Sequence, residues 1–291
     1  MTTNLTKREF IGLAVSTFAA GAVCMGGEAA DRGKLSIRFL GTGAADWKKR
    51  DSRGEYRRLT SLMLNRKVLV DFTPSNREMM PSGCYPSVIF YTHSHDDHYN
   101  PAAAVALGIR RAYVHESWHD EAIEEFRKAS EQMKTLMPEV LPLVIGKTVE
   151  VDGMMFTPLP SNHVTSRPRE QTIMYLIENA DGVRLLYATD TAGIPARALQ
   201  IIGEKPISAL IMEATIGLGH DDDCRIFTHS SVAMVAQTAR VLAKTRRYVP
   251  VTGRPVFLTH MARSLHGTQK ELDASLPKPL CAAYDGMEIM L

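Results

Sequence analysis

The chain has 291 residues, of which 45% are hydrophobic and 23% charged, and its formal net charge is +2. A composition of this kind is globular and excludes collagen-like, coiled-coil and wholly disordered proteins. The balance of 34 basic against 32 acidic residues excludes a general nucleic-acid coat, which needs a net basic surface.

In chain order, residues 1–30 come first. Lys7 and Arg8 supply a positive start, Phe10 to Gly27 carries no charge, and the small residues Gly27, Ala29 and Ala30 follow. This layout predicts an export signal, of twin-arginine-like or Sec type, that sends the chain to the periplasm; an uncleaved anchor or a cytoplasmic location is the alternative. Gly21-Ala22-Val23 before Cys24 fits a lipid-attachment site poorly. Residues 31–291 read as one domain, because no Pro/Gly/Ser-rich linker divides them. Strands are expected at 34–40, 59–64, 68–71, 87–91, 112–114, 149–158, 172–178, 183–188 and 208–212, with a last one at 256–258. Helices are expected at 101–107, 118–137 and 231–243. Strands in both halves with helices between them predict an α/β architecture of αββα type, two face-to-face sheets with helices outside. Cys84, Cys224 and Cys281 form no CxxC pair and are expected as buried thiols, with one disulfide as the alternative.

The strongest chemical signal is Thr92-His93-Ser94-His95-Asp96-Asp97-His98, an HxHxDH pattern directly after an apolar strand. Imidazole and carboxylate are the usual ligands of zinc-like ions in open sites. Further ligands are expected at strand ends elsewhere, and His163, Asp190 and His260 each follow an apolar run. Asp71 and Glu213, also at strand ends, are candidates for orienting the ligands. His229 stands just before the 231–243 helix, where it either acts on substrate or caps the helix. Lys48 to Arg58 holds six basic and two acidic residues, a loop suited to drawing in an anion. Arg167 and Arg169 are weaker candidates for the same task. Asp221-Asp222-Asp223 reads as an exposed acidic turn, and His115 and His119 as surface or core residues.

Taken together, these residues resemble the metallo-β-lactamase fold superfamily of dinuclear metallohydrolases. The resemblance implies that His93, His95 and His163 hold one ion, that Asp97, His98 and His260 hold a second, and that Asp190 bridges them. The cofactors it implies are two divalent metal ions, zinc first, with manganese or iron as alternatives. Gly41-Thr42-Gly43, Arg57-Arg58, Val70-Asp71-Phe72-Thr73-Pro74 and the ending Ala283-Tyr284-Asp285-Gly286 resemble the cyclic-phosphate and ribonuclease Z-like phosphodiesterase branch. The loop 47–56 differs from the cyclic-phosphate enzymes in carrying no cysteine. The expected function is hydrolysis of a phosphodiester by a hydroxide held between two ions. In that chemistry His229 is the general acid, Asp97 shares proton transfer, and Arg57 and Arg58 bind substrate. Hydrolysis of a carboxylic ester or lactone on the same metals is the alternative, and a metal-dependent binding protein without turnover is a third reading. The expected partner is a small-molecule phosphoester. No stable nucleic-acid complex is expected, because no long basic arm is inserted. Membrane contact is expected only through an uncleaved N-terminal segment, and the oligomeric state is open, a homodimer included.

Overall fold

Along the central strands apolar residues follow one another without alternation, because both faces of each strand are covered. In Val88-Ile89-Phe90, Val88 and Phe90 enter one core and Ile89 enters another. In Leu185-Leu186-Tyr187-Ala188, Leu185 and Tyr187 share the first core while Leu186 and Ala188 enter a third. Two sheets packed face to face, each with helices on its outer side, satisfy this pattern. The computed structural model describes residues 34–250 and 255–291. The expected export segment, with Lys7, Arg8 and Cys24, lies outside the described residues.

The first sheet is built from β1 (Ser36–Gly41), β2 (Ser61–Leu64), β3 (Val68–Val70), β4 (Val88–Phe90), β5 (Arg111–His115) and β6 (Glu139–Leu143). Between β4 and β5 runs α1 (Pro101–Leu107), and between β5 and β6 runs α2 (His119–Met133). The second sheet takes β7 (Val149–Val151), β8 (Met154–Pro160), β9 (Ile173–Glu178), β10 (Arg184–Ala188) and β11 (Ala209–Glu213), then β12 (Val256–Thr259) and β13 (Leu280–Ala282). Its helices are α3 (Ala196–Ile202), α4 (Val232–Lys244) and α5 (Gln269–Ser275). The chain then returns to the first sheet as β14 (Glu288–Met290), antiparallel to β1. The sheet orders are β14-β1-β2-β3-β4-β5-β6 and β13-β12-β11-β10-β9-β8-β7. The described residues form a single compact unit. Among the described residues no helix is long and apolar enough to cross a membrane.

The core between the sheets is aromatic at its centre. Phe90 stacks on Tyr113 and Phe156 at ring distances of 4.4 and 4.0 Å, and Tyr175 donates to the Tyr91 carbonyl at 2.5 Å. Phe126 and Trp118 pack on the outside of the first sheet, and Val232, Val235 and Leu242 of α4 pack on the second.

Several expectations need correction. The strand expected at 149–158 is a hairpin, turned at Asp152 and Gly153, which both have positive φ. The helix expected to reach residue 137 stops at Met133, where Lys134 takes the left-handed conformation and closes the last turn. The strand at 256–259 is not the last, since β13 and β14 follow it. Cys84, Cys224 and Cys281 are free, but Cys224 is exposed and the other two only half-buried.

Candidate metal centre

The metal-ligating residue types gather because strands of one direction end at one edge. β3 and β4 run parallel, as do β10, β11 and β12. Glu213 is the last residue of β11, and the segments just beyond the other ends carry Asp71, the HxHxDH loop, Asp190 and His260. Asp71, Asp190 and His260 leave their strands with φ of 55, 46 and 52°. Such backbone is costly for a residue with a side chain, on the order of 1–3 kcal/mol, and is retained where surrounding structure demands it.

Two triads form around Asp190. His95 Nδ1 lies 3.0 Å from His93 Nε2 and 3.2 Å from His163 Nε2. His93 and His163 Nε2 then face Asp190 Oδ2 at 3.6 and 3.5 Å. On the other side, His98 and His260 Nε2 face Asp190 Oδ1 at 3.3 and 3.2 Å. The same two nitrogens lie 3.5 and 3.3 Å from Asp97 Oδ2. Each oxygen of one carboxylate therefore serves a different triad.

The far side of each ring fixes its tautomer. Asp71 accepts the Thr92 amide, the Thr92 hydroxyl and His98 Nδ1, all at 2.8 Å. Because Thr92 Oγ1 gives its proton to Asp71, it accepts from His93 Nδ1 at 2.9 Å. Glu213 repeats the device: it accepts the Thr215 hydroxyl, and Thr215 Oγ1 accepts from His260 Nδ1 at 2.8 Å. His163 Nδ1 donates to the Thr228 carbonyl at 3.2 Å. These bonds leave the inward nitrogens of His93, His98, His163 and His260 as lone pairs, the form that binds a metal.

Those lone pairs fit a pair of cations. His98 Nε2 is buried without a hydrogen-bond partner, facing two carboxylates with a lone pair of its own. Three imidazole nitrogens converge at 3.0–3.2 Å; two ligands about 2.0–2.1 Å from one tetrahedral ion stand roughly 3.3 Å apart. Without a cation these contacts repel. The electrostatics show the same demand for positive charge, which a proton on His98 meets where no metal does. Against the opposing effect of burial, the carboxylates of Asp190, Asp97 and Asp71 push His98 well above the ordinary imidazole value. The imidazoles of His260 and His98 hold Asp190 well below the carboxylate range, again against burial. Burial, reinforced by His98, keeps His93 neutral.

A family model for the β-lactamase superfamily domain matches residues 66–261, a span that includes every one of these ligand candidates. The chain belongs to the metallo-β-lactamase superfamily. No curated protein matches it in sequence. Among solved structures, a diphosphatase of the PhnP family is 21% identical over 88% of this chain and 97% of its own, with a TM-score of 0.61. Zinc-bound PqqB from Methylobacterium extorquens is 16% identical over 87% and 99%, TM-score 0.64. A long-form RNase Z from yeast is 16% identical over 90% of this chain but 42% of its own, TM-score 0.60. At these identities the likeness is one of fold.

Within this metallo-β-lactamase fold, a cavity of about 230 Å³ opens over Asp97, Asp190, His95, His163 and His260, and His229 lines it. His229 Nδ1 sits 3.1 and 3.2 Å from the two oxygens of Glu213. Burial alone would lower its pKa, but Glu213, with help from Asp190 and Asp97, pushes it up to about 9. Ser231, rather than His229, caps α4 through the Met234 amide.

Arg57 and Arg58 are not brought to this cavity, and the expectation that they bind substrate is corrected. Arg57 is buried, donating to Thr42 Oγ1, the Ala283 carbonyl and Gln269 Oε1 at 2.7–2.8 Å. Arg58 pairs with Glu78 and Asp285. These contacts, with the Asp285 bond to Thr42 at 2.8 Å, latch the Gly41-Thr42-Gly43 turn to the chain's ending. Lys49, Arg50 and Arg53 line a separate cavity. Arg167 pairs with Glu125 and lies over Trp118. His115 and His119 bond to Ser117 and the Val140 carbonyl and do not chelate together.

Sequence reasoning missed Thr92, Thr215 and Glu170. Glu170 accepts the Ser94 amide at 2.7 Å, the Ser94 hydroxyl at 2.5 Å and the Thr165 hydroxyl at 2.8 Å. It thereby ties the HxHxDH loop to the segment that follows His163. The two threonines had one signal, their place one or two residues from a strand-end carboxylate or histidine. Glu170 had none.

Proposed function

We propose that this chain is a dinuclear metal-dependent phosphodiesterase acting on a small-molecule phosphoester. When bound, two divalent ions, zinc first and manganese or iron as alternatives, supply Lewis acidity and an activated water. His93, His95 and His163 would hold one, Asp97, His98 and His260 the other, with Asp190 shared.

The observation that carries the reading is the Glu213–His229 pair. A carboxylate at 3.1 Å faces His229 Nδ1 and pushes the pKa of the imidazole up to about 9 in the metal-free chain, inside the cavity and beside the ligands; its ring centre is 4.7 Å from that of His163. With Nδ1 committed to Glu213, the imidazole can give its Nε2 proton to the oxygen of a departing alcohol. The alkoxide of a phosphodiester needs that proton. Asp97 lines the same cavity and takes the proton of the attacking water. Export across the membrane remains our proposal for residues 1–30, and periplasmic recovery of the full chain tests it. No stable nucleic-acid complex is proposed.

The test uses the full chain beside Asp190→Ala. Elemental analysis should find about two ions per chain, and bis-p-nitrophenyl phosphate should be cleaved by the parent and not by the variant. Cleavage of p-nitrophenyl acetate alone would overturn the phosphodiesterase reading in favour of a carboxylic ester hydrolase. Protein that stays inert after metal reconstitution would overturn catalysis.

A further inference from the structure

The cavity over the metal centre is lined by one guanidinium, that of Arg225. Cys224 to Phe227 makes a single 3-10 turn capped by Asp223. Asp223 Oδ1 accepts the Arg225 amide at 3.0 Å and its Nε at 2.8 Å, while Oδ2 accepts Nη2 at 2.8 Å. The fork spends Nε and Nη2 and fixes the plane of the group. Among the described residues, Nη1 has no hydrogen-bond partner. Asp46, the remaining acid at the cavity wall, does not take it. Its carboxylate is committed to the Arg263 and Ser264 amides and the Ser264 hydroxyl at 2.8–3.0 Å.

The same turn sets two imidazoles. The Arg225 carbonyl accepts the His229 amide at 2.8 Å, and the Thr228 carbonyl accepts His163 Nδ1 at 3.2 Å. Arg225 and His229 therefore belong to one short, internally bonded segment of the cavity wall. A fixed guanidinium with one nitrogen left over, beside a metal centre, suits an anionic oxygen and gains little from a neutral carbonyl.

We propose that Arg225 is the residue that selects an anionic substrate, its Nη1 binding a non-bridging phosphoryl oxygen on the leaving-group side. This rests on the phosphodiesterase reading. It assigns to Arg225 the role that the basic loop 48–58 had suggested for Arg57 and Arg58.

The test compares the metal-loaded full chain with Arg225→Gln and Arg225→Lys. Losing one charge-assisted hydrogen bond should raise KM for bis-p-nitrophenyl phosphate about tenfold in Arg225→Gln, with kcat within about twofold. Arg225→Lys should recover part of the KM, since charge returns without the fork. Calorimetric titration with inorganic phosphate should show the same loss of affinity, while metal content stays at the parent level. Unchanged KM and unchanged phosphate affinity in Arg225→Gln would overturn the proposal, and so would a fall in bound metal in both variants, which would make Arg225 a support of the site. If the parent cleaves no phosphodiester, the phosphodiesterase reading fails. Phosphate titration then decides Arg225 by itself: equal affinity in parent and variants overturns it, and a tenfold loss sustains anion selection.

Discussion

Asp71 and Glu213 each govern two imidazoles: one carboxylate orients His98 directly and His93 through Thr92, the other His229 directly and His260 through Thr215. Neither faces the inward nitrogens. Asp71→Asn keeps the shape but loses the charge and places an amide donor against Thr92 or His98. Metal affinity should fall about 10–100-fold, read by competition with a chromophoric chelator; unchanged affinity would remove Asp71 from the site. His229→Gln should behave differently, keeping both ions. Its loss should be on the order of 10²–10⁴-fold for a diester with an alkyl leaving group and much smaller for p-nitrophenolate, which departs without a proton. A uniform loss across leaving groups would argue against proton donation. The pH dependence has a definite sign. His229 is raised from 6.5 to about 9, so in metal-free protein its contribution to stability is full below about 6.5 and is lost as pH rises through 9. Thermal denaturation of the chelator-treated chain across this window should show that decline, and His229→Gln should lack its share.

At the scale of elements, the sequence marked most of the strands that carry ligands, β4, β10, β11 and β12, ran β8 together with β7, and missed β6, β13 and β14. Val88 to Phe90 and Leu185 to Ala188 are continuous apolar runs because helices and a second sheet cover both faces, and the ligands stand directly beyond them. β13 and β14 are three residues each, too short for a period to emerge, and they exist because β12 and β1 offer them partners. α5 owes its start to the Thr268–Glu271 capping box rather than to any apolar stripe. Arg57 was misread for a related reason: spacing cannot tell a solvated guanidinium from one enclosed by a turn. That turn is tight, since a Cβ on Gly41 would sit 1.9 Å from the Leu59 carbonyl oxygen. Arg57→Met should leave the Thr42 hydroxyl and the Ala283 carbonyl short of a partner and cost about 1–3 kcal/mol. At roughly 2–4 °C per kcal/mol for a domain near this size, the melting temperature should fall several degrees while KM stays put. A raised KM with unchanged melting would restore Arg57 to the substrate.

On the scale of the whole molecule, the metal centre is a seam. The HxHxDH loop and Asp71 extend strands of the first sheet, whereas His163, Asp190, Glu213 and His260 extend strands of the second. Each ion drawn into the triads would therefore take ligands from both sheets at once, at the edge where Asp71, Asp190 and His260 carry strained backbone. Occupancy of the native state alone stabilises by about 2.7 kcal/mol for a ligand at a hundred times its dissociation constant. Chelation of the full chain should then lower the melting temperature by roughly 5–10 °C per ion of that affinity, and added zinc or manganese should restore it. Asp190→Ala should melt near the chelated parent and respond little to either treatment, because the carboxylate whose two oxygens serve both triads is gone. A single-triad ligand such as His95 should differ, since the second triad is left whole: His95→Ala should retain one ion and part of the metal-dependent shift. If His95→Ala and Asp190→Ala lose metal and stability equally, the two triads bind as one indivisible unit rather than as two sites sharing a carboxylate.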